Sequence, residues 1–500
     1  MIDALDVASL ERFQLELVEA GFEAADAAQR SWVGPIAESL RGLTEAETMK
    51  IVFYDGWPFQ HPRLFVEGLD ERHVSARGEV CLWATGAPPE EWQTFSDFRA
   101  RIDEWAEHAA SEFRPEDFAL DAHLSFGSVR PGTIATVDLE SLRLSRAGGG
   151  RDEISGTWKQ DGRVLEIKRG RKGEIEGRWY FVGKVKVPPR SLDGVRALLD
   201  AGQQKNFDRR YKQVAEHGKA RLFMLVWDRE LGREALVLLA EKKGDEVVAQ
   251  AIEVAPTDTS FLKLRAGPDA EVLGEKKVVL FGAGAIGSNL SVLLARAGLG
   301  ELVVVDGDRL RPSNVVRHAA NSIAVGREKA ATVYTDAHFS APWTTVRPVI
   351  ESPWKPSRVR ELIAGADLVI ETTGLTSFAL LVSYICRESQ TPLVSAALYR
   401  GGAVARVRRQ ARADDVALAE RSPATGHPLI PPGDEPVAYE PGCSEPVNNA
   451  SPVAVSATAA LAAEVAIDTL TERFDYPDEA IDVYRPLDEA PFDRLGRIQP

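Results

Sequence analysis

The sequence predicts an α/β protein whose C-terminal part is built on a parallel sheet, preceded by two α+β domains. Three observations support this class. An apolar run at 278–281 is followed by closely spaced glycines and then by an amphipathic stretch, which is the order strand, turn, helix. A second apolar run, at 302–305, follows that stretch, as in a βαβ unit. The length of 500 residues is too great for one hydrophobic core, so we expect two to four domains.

Composition narrows the class of protein. Hydrophobic residues make up 44% of a chain with net charge −15, which argues for a globular protein and against nucleic acid or an anionic membrane as the main partner. No N-terminal signal pattern and no run of about 18 apolar residues stands out, so we expect a cytoplasmic protein. The cysteines, Cys81, Cys386 and Cys443, are odd in number, which is unlike a disulfide framework, and no Cys-x-x-Cys pair is present to hold zinc.

The glycines after the first apolar run carry the first functional signal. Gly282, Gly284 and Gly287 stand at G-x-G-x-x-G spacing, where small residues let the backbone approach a phosphate closely. The first N–H groups of the following helix would supply further donors. Dehydrogenases, methyltransferases and many other α/β domains share these glycines, so they predict a nucleotide site without naming its ligand.

The residues after the second strand are more specific. Asp306 ends that strand, where a carboxylate can bind ribose hydroxyls. Asp308, Asn314, Arg317 and Lys329 follow, a set that suits a triphosphate because cations neutralise its charge and Asp can hold its magnesium ion. The alternative is an NAD-binding domain with incidental charges.

This pattern, G-x-G-x-x-G, then D-x-D-x5-N-x-x-R and a lysine, resembles the adenylation domain of the ubiquitin-activating and ThiF/MoeB/HesA superfamily over roughly residues 272–490. The resemblance implies a Rossmann-like fold, ATP and Mg²⁺ as cofactors, and a homodimer. It also implies ribose binding by Asp306 and triphosphate contacts by Asn314, Arg317 and Lys329. One departure concerns the metal: where the family has D-x-x-D after the strand expected at 367–370, this chain has Glu371-Thr372-Thr373-Gly374. Asp308, Glu371 or other residues therefore stay open as metal ligands.

The N-terminal region carries a second resemblance. A helix is expected at 7–24 and a strand at 50–54 in this region. About residues 45–110 resemble the core of ubiquitin-conjugating enzymes. The matching residues are Trp57-Pro58-Phe59, His61-Pro62, Phe65, His73 and Cys81-Leu82. The family's H-P-N has become His73-Val74-Ser75, so the Asn that stabilises the oxyanion is missing, and Ser75 or a backbone N–H would have to replace it. The resemblance implies a reactive Cys81, provided that the thiol is exposed with a lowered pKa. The alternative is a small buried hydrophobe.

The middle region carries no recognised motif. Strands are expected at 154–158, 164–167, 179–182 and 221–227, and a helix at 191–216. The basic run 168–172 is either a docking patch or, as we expect, a solvated hairpin tip. We expect this region to space the two active units.

Two cysteines follow the nucleotide core. Cys386 lies in an apolar helix expected at 377–388, and we interpret it as an inert core thiol. Strands are expected at 392–396 and 402–408 and a helix at 452–469. The long loop between them, 411–451, contains Pro441-Gly442-Cys443-Ser444, and in activating relatives the catalytic cysteine lies on such a segment. Cys443 is therefore the candidate nucleophile, with a structural loop cysteine as the alternative.

Together these features predict three domains: a ubiquitin-conjugating-like domain at 1–118, a middle domain at 119–270 and a ThiF-type adenylation domain at 271–500. The chain resembles bifunctional enzymes of bacterial ubiquitin-like conjugation and of CBASS antiphage operons. The implied partners are a ubiquitin-like or other protein with an activatable C-terminus and a target lysine. Arg317 would assist adenylation, Cys443 would form a thioester, and Cys81 would receive the acyl group. One alternative is a sulfur-carrier adenylyltransferase with a non-catalytic N-terminal binding module. Another is an oxidoreductase or nucleotide sensor.

Overall fold

A computed structural model of the chain describes residues 2–83, 86–111, 121–142, 152–229, 232–432 and 449–498. These residues form two compact units, Met1–Asp258 and Thr259–Pro500. The first unit contains a small antiparallel sheet and a closed barrel, and the second contains one large mixed sheet. The three-domain division given above stays a prediction.

The first unit begins with an antiparallel five-stranded sheet in the order β1-β2-β3-β4-β5. Its elements are α1 (Val7–Glu19), β1 (Glu23–Ala24), β2 (Ser31–Pro35), β3 (Thr48–Val52), β4 (Arg63–Phe65), β5 (Glu79–Val80) and α2 (Phe95–Ser111). Aromatic side chains fill the space between the helices and the sheet. Phe13 of α1 makes edge-to-face contacts with Phe53, Trp57 and Phe98, with ring centroids 5.3 to 6.0 Å apart. These aromatic residues thus form the hydrophobic core between the N-terminal sheet and its helices.

The rest of the first unit is a closed barrel with strand order β10-β11-β12-β6-β8-β7-β9. Its elements are α3 (Ala122–Ser125), β6 (Val129–Val137), β7 (Glu153–Lys159), β8 (Val164–Arg169), β9 (Ile175–Phe181), α4 (Leu192–Ala197), α5 (Ala201–His217), β10 (Arg221–Arg229), β11 (Gly232–Lys243) and β12 (Glu246–Pro256). Strand β10 is buried on both faces: Leu222 and Met224 belong to one core cluster, and Phe223 and Leu225 belong to the cluster that holds α4 and α5 residues. This double burial explains its continuous apolar sequence.

The second unit has an eight-stranded sheet in the order β15-β14-β13-β16-β17-β18-β19-β20, of which the first five strands are parallel. The elements are α6 (Thr259–Leu262), α7 (Ala270–Gly274), β13 (Lys277–Phe281), α8 (Ala285–Arg296), β14 (Glu301–Val305), α9 (Lys329–Ser340), β15 (Thr345–Val349), α10 (Pro356–Ile363), β16 (Leu368–Glu371), α11 (Thr376–Glu388), β17 (Leu393–Tyr399), β18 (Val404–Gln410), α12 (Pro452–Leu470), β19 (Glu479–Val483) and β20 (Gly496–Ile498).

Helices cover both faces of this sheet. Alternate residues of each parallel strand pack on α8, α9 and α12 on one face and on α10 and α11 on the other. The expected Rossmann-like α/β fold of the C-terminal part is confirmed. Helix α12 is the one described helix that is long and apolar enough to cross a membrane, but 67% of the relevant window is buried and its residues belong to the sheet's core cluster. We therefore interpret it as a core helix.

Several local predictions need correction. The first helix ends at Glu19, because the chain turns there and pairs residues 23–24 with β2. The single helix expected at 191–216 is two helices, since Asp200 caps the second one with its side chain. The basic run is not a hairpin tip: β8 and β9 do not pair with each other, because β7 lies between them. Its Arg171 forms an ion pair with Glu153.

Candidate functional site

The glycine loop joins β13 to α8 and is closed by contacts that only glycine permits. Gly282 has φ +92°, and a Cβ on it would lie 2.8 Å from the backbone N of Thr373. A Cβ on Gly287 would lie 1.9 Å from the carbonyl oxygen of Gly282. Gly284 is different: it caps α8, and a Cβ there would meet no described atom within 4 Å. Two glycines therefore close the loop, while the third faces open space at the helix N-terminus.

Asp306 holds the glycine loop to the end of β14. Its Oδ2 accepts a hydrogen bond from the N–H of Ala283 at 2.7 Å, and its Oδ1 accepts one from the N–H of Asp308 at 2.8 Å. Burial raises the pKa of the carboxyl, and the two backbone donors and Lys329 oppose that shift. The carboxylate thus lies beside the loop, where each oxygen keeps acceptor capacity for a hydroxyl.

Lys329 is a cation that acts on the Asp306 carboxylate and lowers its pKa. Its Nζ donates to Asp308 Oδ2 at 2.8 Å, and its backbone N–H donates to the Asp308 carbonyl at 2.8 Å. The Lys329 side chain is 14% exposed and that of Asp308 is 71% exposed. The lysine is therefore held inward at the start of α9, and the aspartate remains open to a ligand.

Arg317 and Asn314 lie on a segment that is tied to the first turns of α8. The Asn314 side-chain oxygen accepts from the N–H of Arg311 at 3.2 Å and closes the short 3-10 turn at Pro312–Asn314. The Arg317 carbonyl accepts from Asn289 Nδ2 at 3.0 Å. The structure thus brings the backbone of Arg317 to the helix that follows the glycine loop.

Two further residues fix this segment, and sequence reasoning missed them. His318 is buried; its Nδ1 accepts from the N–H of Ala320, so its Nε2 carries the proton and donates to the Ala283 carbonyl at 2.9 Å. Burial lowers the pKa of His318, consistent with a neutral ring. Ser288 Oγ accepts from the N–H of Ala319 at 3.2 Å. A histidine directly after the predicted arginine was the available signal.

Glu371 is not positioned as a metal ligand. Its side chain is buried, with Oε1 accepting from the N–H and the hydroxyl of Thr373 and Oε2 accepting from the hydroxyl of Ser395. These bonds direct both oxygens to the protein. Among the described residues no group of three His, Cys, Asp or Glu could hold a metal ion. A magnesium ion bound to a nucleotide needs only one or two protein carboxylates, so Asp308 fits that role and Glu371 does not.

Cys81 lies just after β5 in the first unit. Its N–H donates to the His73 carbonyl at 2.8 Å, and its thiol donates to the Trp83 carbonyl at 3.7 Å. Burial raises the pKa of the thiol, Glu79 raises it further, and Arg101 opposes the shift. The condition of a lowered pKa is therefore not met, because burial and the charge of Glu79 both raise the pKa of this thiol.

The His73-Val74-Ser75 segment pairs with β5 through a bridge between Val74 and Val80, directly before Cys81. Ser75 Oγ accepts from the N–H groups of Arg77 and Glu79, so it closes the turn between the two segments. Its hydroxyl hydrogen is still available to a ligand, because a hydroxyl is both acceptor and donor. The role of Ser75 as an oxyanion donor stays a prediction.

Arg190, in the barrel part of the same unit, binds the loop that leads to this segment. Its Nε donates to Asp70 Oδ1 at 2.6 Å, Nη1 donates to the Ser75 carbonyl at 3.0 Å, and Nη2 donates to the Leu69 carbonyl at 3.1 Å. One guanidinium thus fixes the 69–75 loop at several points. Arg190 of the middle region therefore fixes the loop before Cys81, and the spacer role expected for this region stays a prediction.

The other two cysteines have different outcomes. Cys386 is fully buried in α11, and burial raises the pKa of its thiol to about 12, so the expected core thiol is confirmed. Cys443 lies outside the described residues.

Residues 262–488 match the ThiF family. This part of the chain is a ThiF-family adenylation domain. It contains the glycine loop, Asp306, Asp308, Asn314, Arg317 and Lys329 described above.

Two curated relatives match part of the chain. The SAMP-activating enzyme E1 of Haloferax volcanii is 35% identical over 136 residues, which are 27% of this chain and 50% of that protein. The ATP-dependent ubiquitin transferase-like protein Cap2 of Pseudomonas aeruginosa is 27% identical over 201 residues, which are 39% of this chain and 35% of that protein. The chain thus spans half or less of the length of these relatives.

A solved structure also overlaps the chain. The crystal structure of E. coli MccB with MccA-N7isoASN covers 48% of this chain and 69% of that chain, with a TM-score of 0.38 and 15% identity.

Proposed function

We propose that this chain uses ATP to adenylate the C-terminal carboxylate of a protein substrate. One observation carries the proposal: the open side of the glycine loop, at Gly284, lies in a ThiF-family domain whose Asp306 and Lys329 are held beside that loop. A helix N-terminus with an adjacent inward lysine suits a phosphate chain. Arg317 adds a second cation from a segment fixed to the same helix.

In the proposed reaction a carboxylate oxygen of the substrate attacks the α-phosphorus of ATP. A bond forms between that oxygen and phosphorus, the bond from the α-phosphorus to the bridging oxygen breaks, and pyrophosphate leaves with the electron pair. Lys329 and Arg317 stabilise the charge that develops on the phosphates. Mg²⁺, when bound through Asp308, would neutralise further phosphate charge.

The first test measures ATP–pyrophosphate exchange with the substrate protein present. Lys329→Ala and Arg317→Ala should each lower the exchange rate by about 10²–10³, the usual loss for one transition-state donor. Lys355→Ala, an exposed lysine at the start of α10, is the matched control and should retain the rate. Wild-type exchange in both test variants would contradict the adenylation proposal.

We further propose that Cys443 captures the acyl adenylate as a thioester and passes the acyl group to Cys81 and then to a target lysine. Support comes from the sequence resemblances and from the relative named as a ubiquitin transferase-like protein. In the first step the Cys443 thiolate attacks the acyl carbon and AMP leaves; in the second, the Cys81 thiolate attacks and the Cys443 thiolate leaves. In the third, the lysine amine attacks, the Cys81 thiolate leaves, and the amine loses a proton as the amide forms. The raised pKa of Cys81 means that this second step needs a base or a local change to generate the thiolate.

Non-reducing gels of the full chain with ATP and a ubiquitin-like protein test the order of the thiols. Cys443→Ala should form no adduct, because Cys81 would receive its acyl group only from Cys443. Cys81→Ala should accumulate an adduct that reductant removes. Adducts on Cys81 in the Cys443→Ala protein would show that the order is wrong.

A sulfur-carrier adenylyltransferase is the second candidate, and the raised pKa of Cys81 favours it over a thiol relay through that residue. Exchange and sulfur transfer that persist in a Cys81→Ala, Cys443→Ala double variant would support it. In either case we propose a homodimer through the domain at 272–490, on the resemblance alone. A monomer mass by light scattering at micromolar concentration would contradict the dimer.

A further inference from the structure

A cavity of about 220 Å³ lies between α5 and the barrel strands of the first unit, far in sequence from every predicted site residue. Four arginines and two glutamates contribute to its lining: Arg171, Arg209, Arg210, Arg221, Glu153 and Glu176. Such a cavity is smaller than a typical drug-sized ligand pocket of about 300–1,000 Å³. It suits a small ligand.

Arg210 forms the buried floor of this cavity. Its residue is 9% exposed, and its Nη2 lies 3.3 Å from Glu153 Oε1. Arg171 already binds both oxygens of Glu153 through its Nε and Nη2. The Nε of Arg210 is buried and has no hydrogen-bond partner within the described ranges. One carboxylate therefore serves two guanidinium groups, and a donor on the buried one is left over.

Arg221 provides a second buried donor. Its side chain is 13% exposed, and its Nη2 lies 3.4 Å from Glu176 Oε2, whose own side chain is 49% exposed. Its Nε is also buried without a hydrogen-bond partner in the part of the chain that the structure describes. Two arginines at one cavity thus each hold a buried N–H group that needs an acceptor.

The mouth of the cavity carries further positive charge. Arg209 is exposed and its Nη2 donates to the neutral Asn206 side chain at 3.0 Å. Arg171 is 70% exposed. Four arginines against two glutamates leave an excess of two positive charges at the lining, and a phosphate monoester carries about −1.5 to −2 near neutral pH. Planar guanidinium groups also match phosphate oxygens in geometry.

We propose that this cavity binds a phosphoryl group, supplied either by a small phosphorylated molecule or by inorganic phosphate. Arg210 and Arg221 donate from the floor, and Arg209 and Arg171 close over the group at the mouth. Glu153 orients Arg171 and Arg210. The site does not depend on the adenylation proposal, because no residue of the nucleotide site takes part in it.

The test is calorimetric titration of the full-length chain with inorganic phosphate and, in a separate arm, with methyl phosphate. All proteins carry Arg317→Ala and Lys329→Ala, so that the nucleotide site does not contribute. Into this background we place Arg209→Gln at the mouth and Arg210→Met at the floor. Arg163→Gln, an exposed arginine of the same barrel outside the cavity, is the matched control.

We expect one binding event in the background protein and in the Arg163→Gln control, and a loss of affinity of about tenfold or more in Arg209→Gln. Tighter binding of methyl phosphate than of phosphate would indicate a phosphorylated small molecule, and the reverse order would indicate the free ion. If Arg210→Met fails to fold by circular dichroism, Arg209→Gln still decides the question. Absent binding in the background protein, or equal affinity in Arg209→Gln and Arg163→Gln, would overturn the proposal.

Discussion

Replacing Gly284 with alanine should separate nucleotide binding from folding. The new Cβ would have no described atom within 4 Å, and the φ of −77° at this position is one that L residues adopt. We therefore expect the free energy of unfolding to change by about 1 kcal/mol or less. The methyl group would however occupy the space at the N-terminus of α8 where we propose that the phosphates lie.

Gly287→Ala is the matched comparison, because it places the same methyl group three residues further along the same glycine motif, in the first turn of α8. Its Cβ would lie 1.9 Å from the Gly282 carbonyl oxygen and 2.6 Å from Thr372 Oγ1. The backbone would have to move, so we expect a loss of stability of about 1–3 kcal/mol or more. The same substitution should thus leave the stability nearly unchanged at Gly284 and lower it at Gly287, although both glycines belong to one motif.

The assay is thermal unfolding with and without ATP, together with ATP–pyrophosphate exchange. A ligand at a hundred times its Kd stabilises the native protein by about 2.7 kcal/mol, and Gly284→Ala should lose this gain while it keeps the melting temperature of the free protein. Gly287→Ala should melt at lower temperature even without ATP. If Gly284→Ala retains wild-type exchange, the phosphates do not approach this residue, and our reasoning about the open side of the loop is wrong.

Two predictions concern the first unit. Burial raises the pKa of Cys81, so the alkylation rate of the folded protein should still increase at pH values where the rate of the unfolded chain has already reached its plateau. Mass spectrometry of the labelled peptide measures both rates. Glu79→Gln should increase that rate at a given pH and Arg101→Gln should decrease it, and shifts of the same sign would contradict the electrostatic cause. Arg190→Ala should lower the free energy of unfolding by about 1.5–3 kcal/mol, because the charged hydrogen bonds of Arg190 fix the 69–75 loop. It should also increase the rate of hydrogen exchange at the Cys81 amide. Arg196→Ala, which breaks an exposed ion pair with an aspartate, should lower the stability much less than Arg190→Ala; equal effects of the two substitutions would refute a special role for Arg190.

The raised pKa of Cys81 also affects how the stability of the protein depends on pH. A thiol whose folded pKa exceeds its unfolded pKa favours the neutral form in the native state. It therefore contributes stability below the unfolded pKa, and this contribution is lost as pH rises through the folded pKa. The reaction of Cys81 as a nucleophile should accordingly be slow at neutral pH unless a partner changes its surroundings.

Local sequence determined the elements whose signal spans a few neighbouring residues. The apolar runs at 278–281 and 302–305 became β13 and β14, and the glycine spacing placed the turn before α8. These elements are readable because a buried parallel strand and a phosphate turn each have their own local chemistry. The burial of Cys386 was readable for the same reason, since its helix is apolar on the face that meets the sheet.

Tertiary structure decided the features that depend on residues far apart in the chain. The barrel closes through parallel pairs of β9 with β10 and β6 with β12, which no local pattern encodes. The sequence left Glu371 as a candidate metal ligand, whereas in the structure its carboxylate oxygens accept hydrogen bonds from Ser395 and Thr373. Arg190 binds a loop that lies more than a hundred residues earlier in the chain. The sequence alone specifies which side chains can donate or accept. Only the fold determines which acceptor each donor contacts and how far each group is buried from solvent. These two features raise the pKa of Cys81 and leave the buried N–H groups of the arginine cavity without an acceptor.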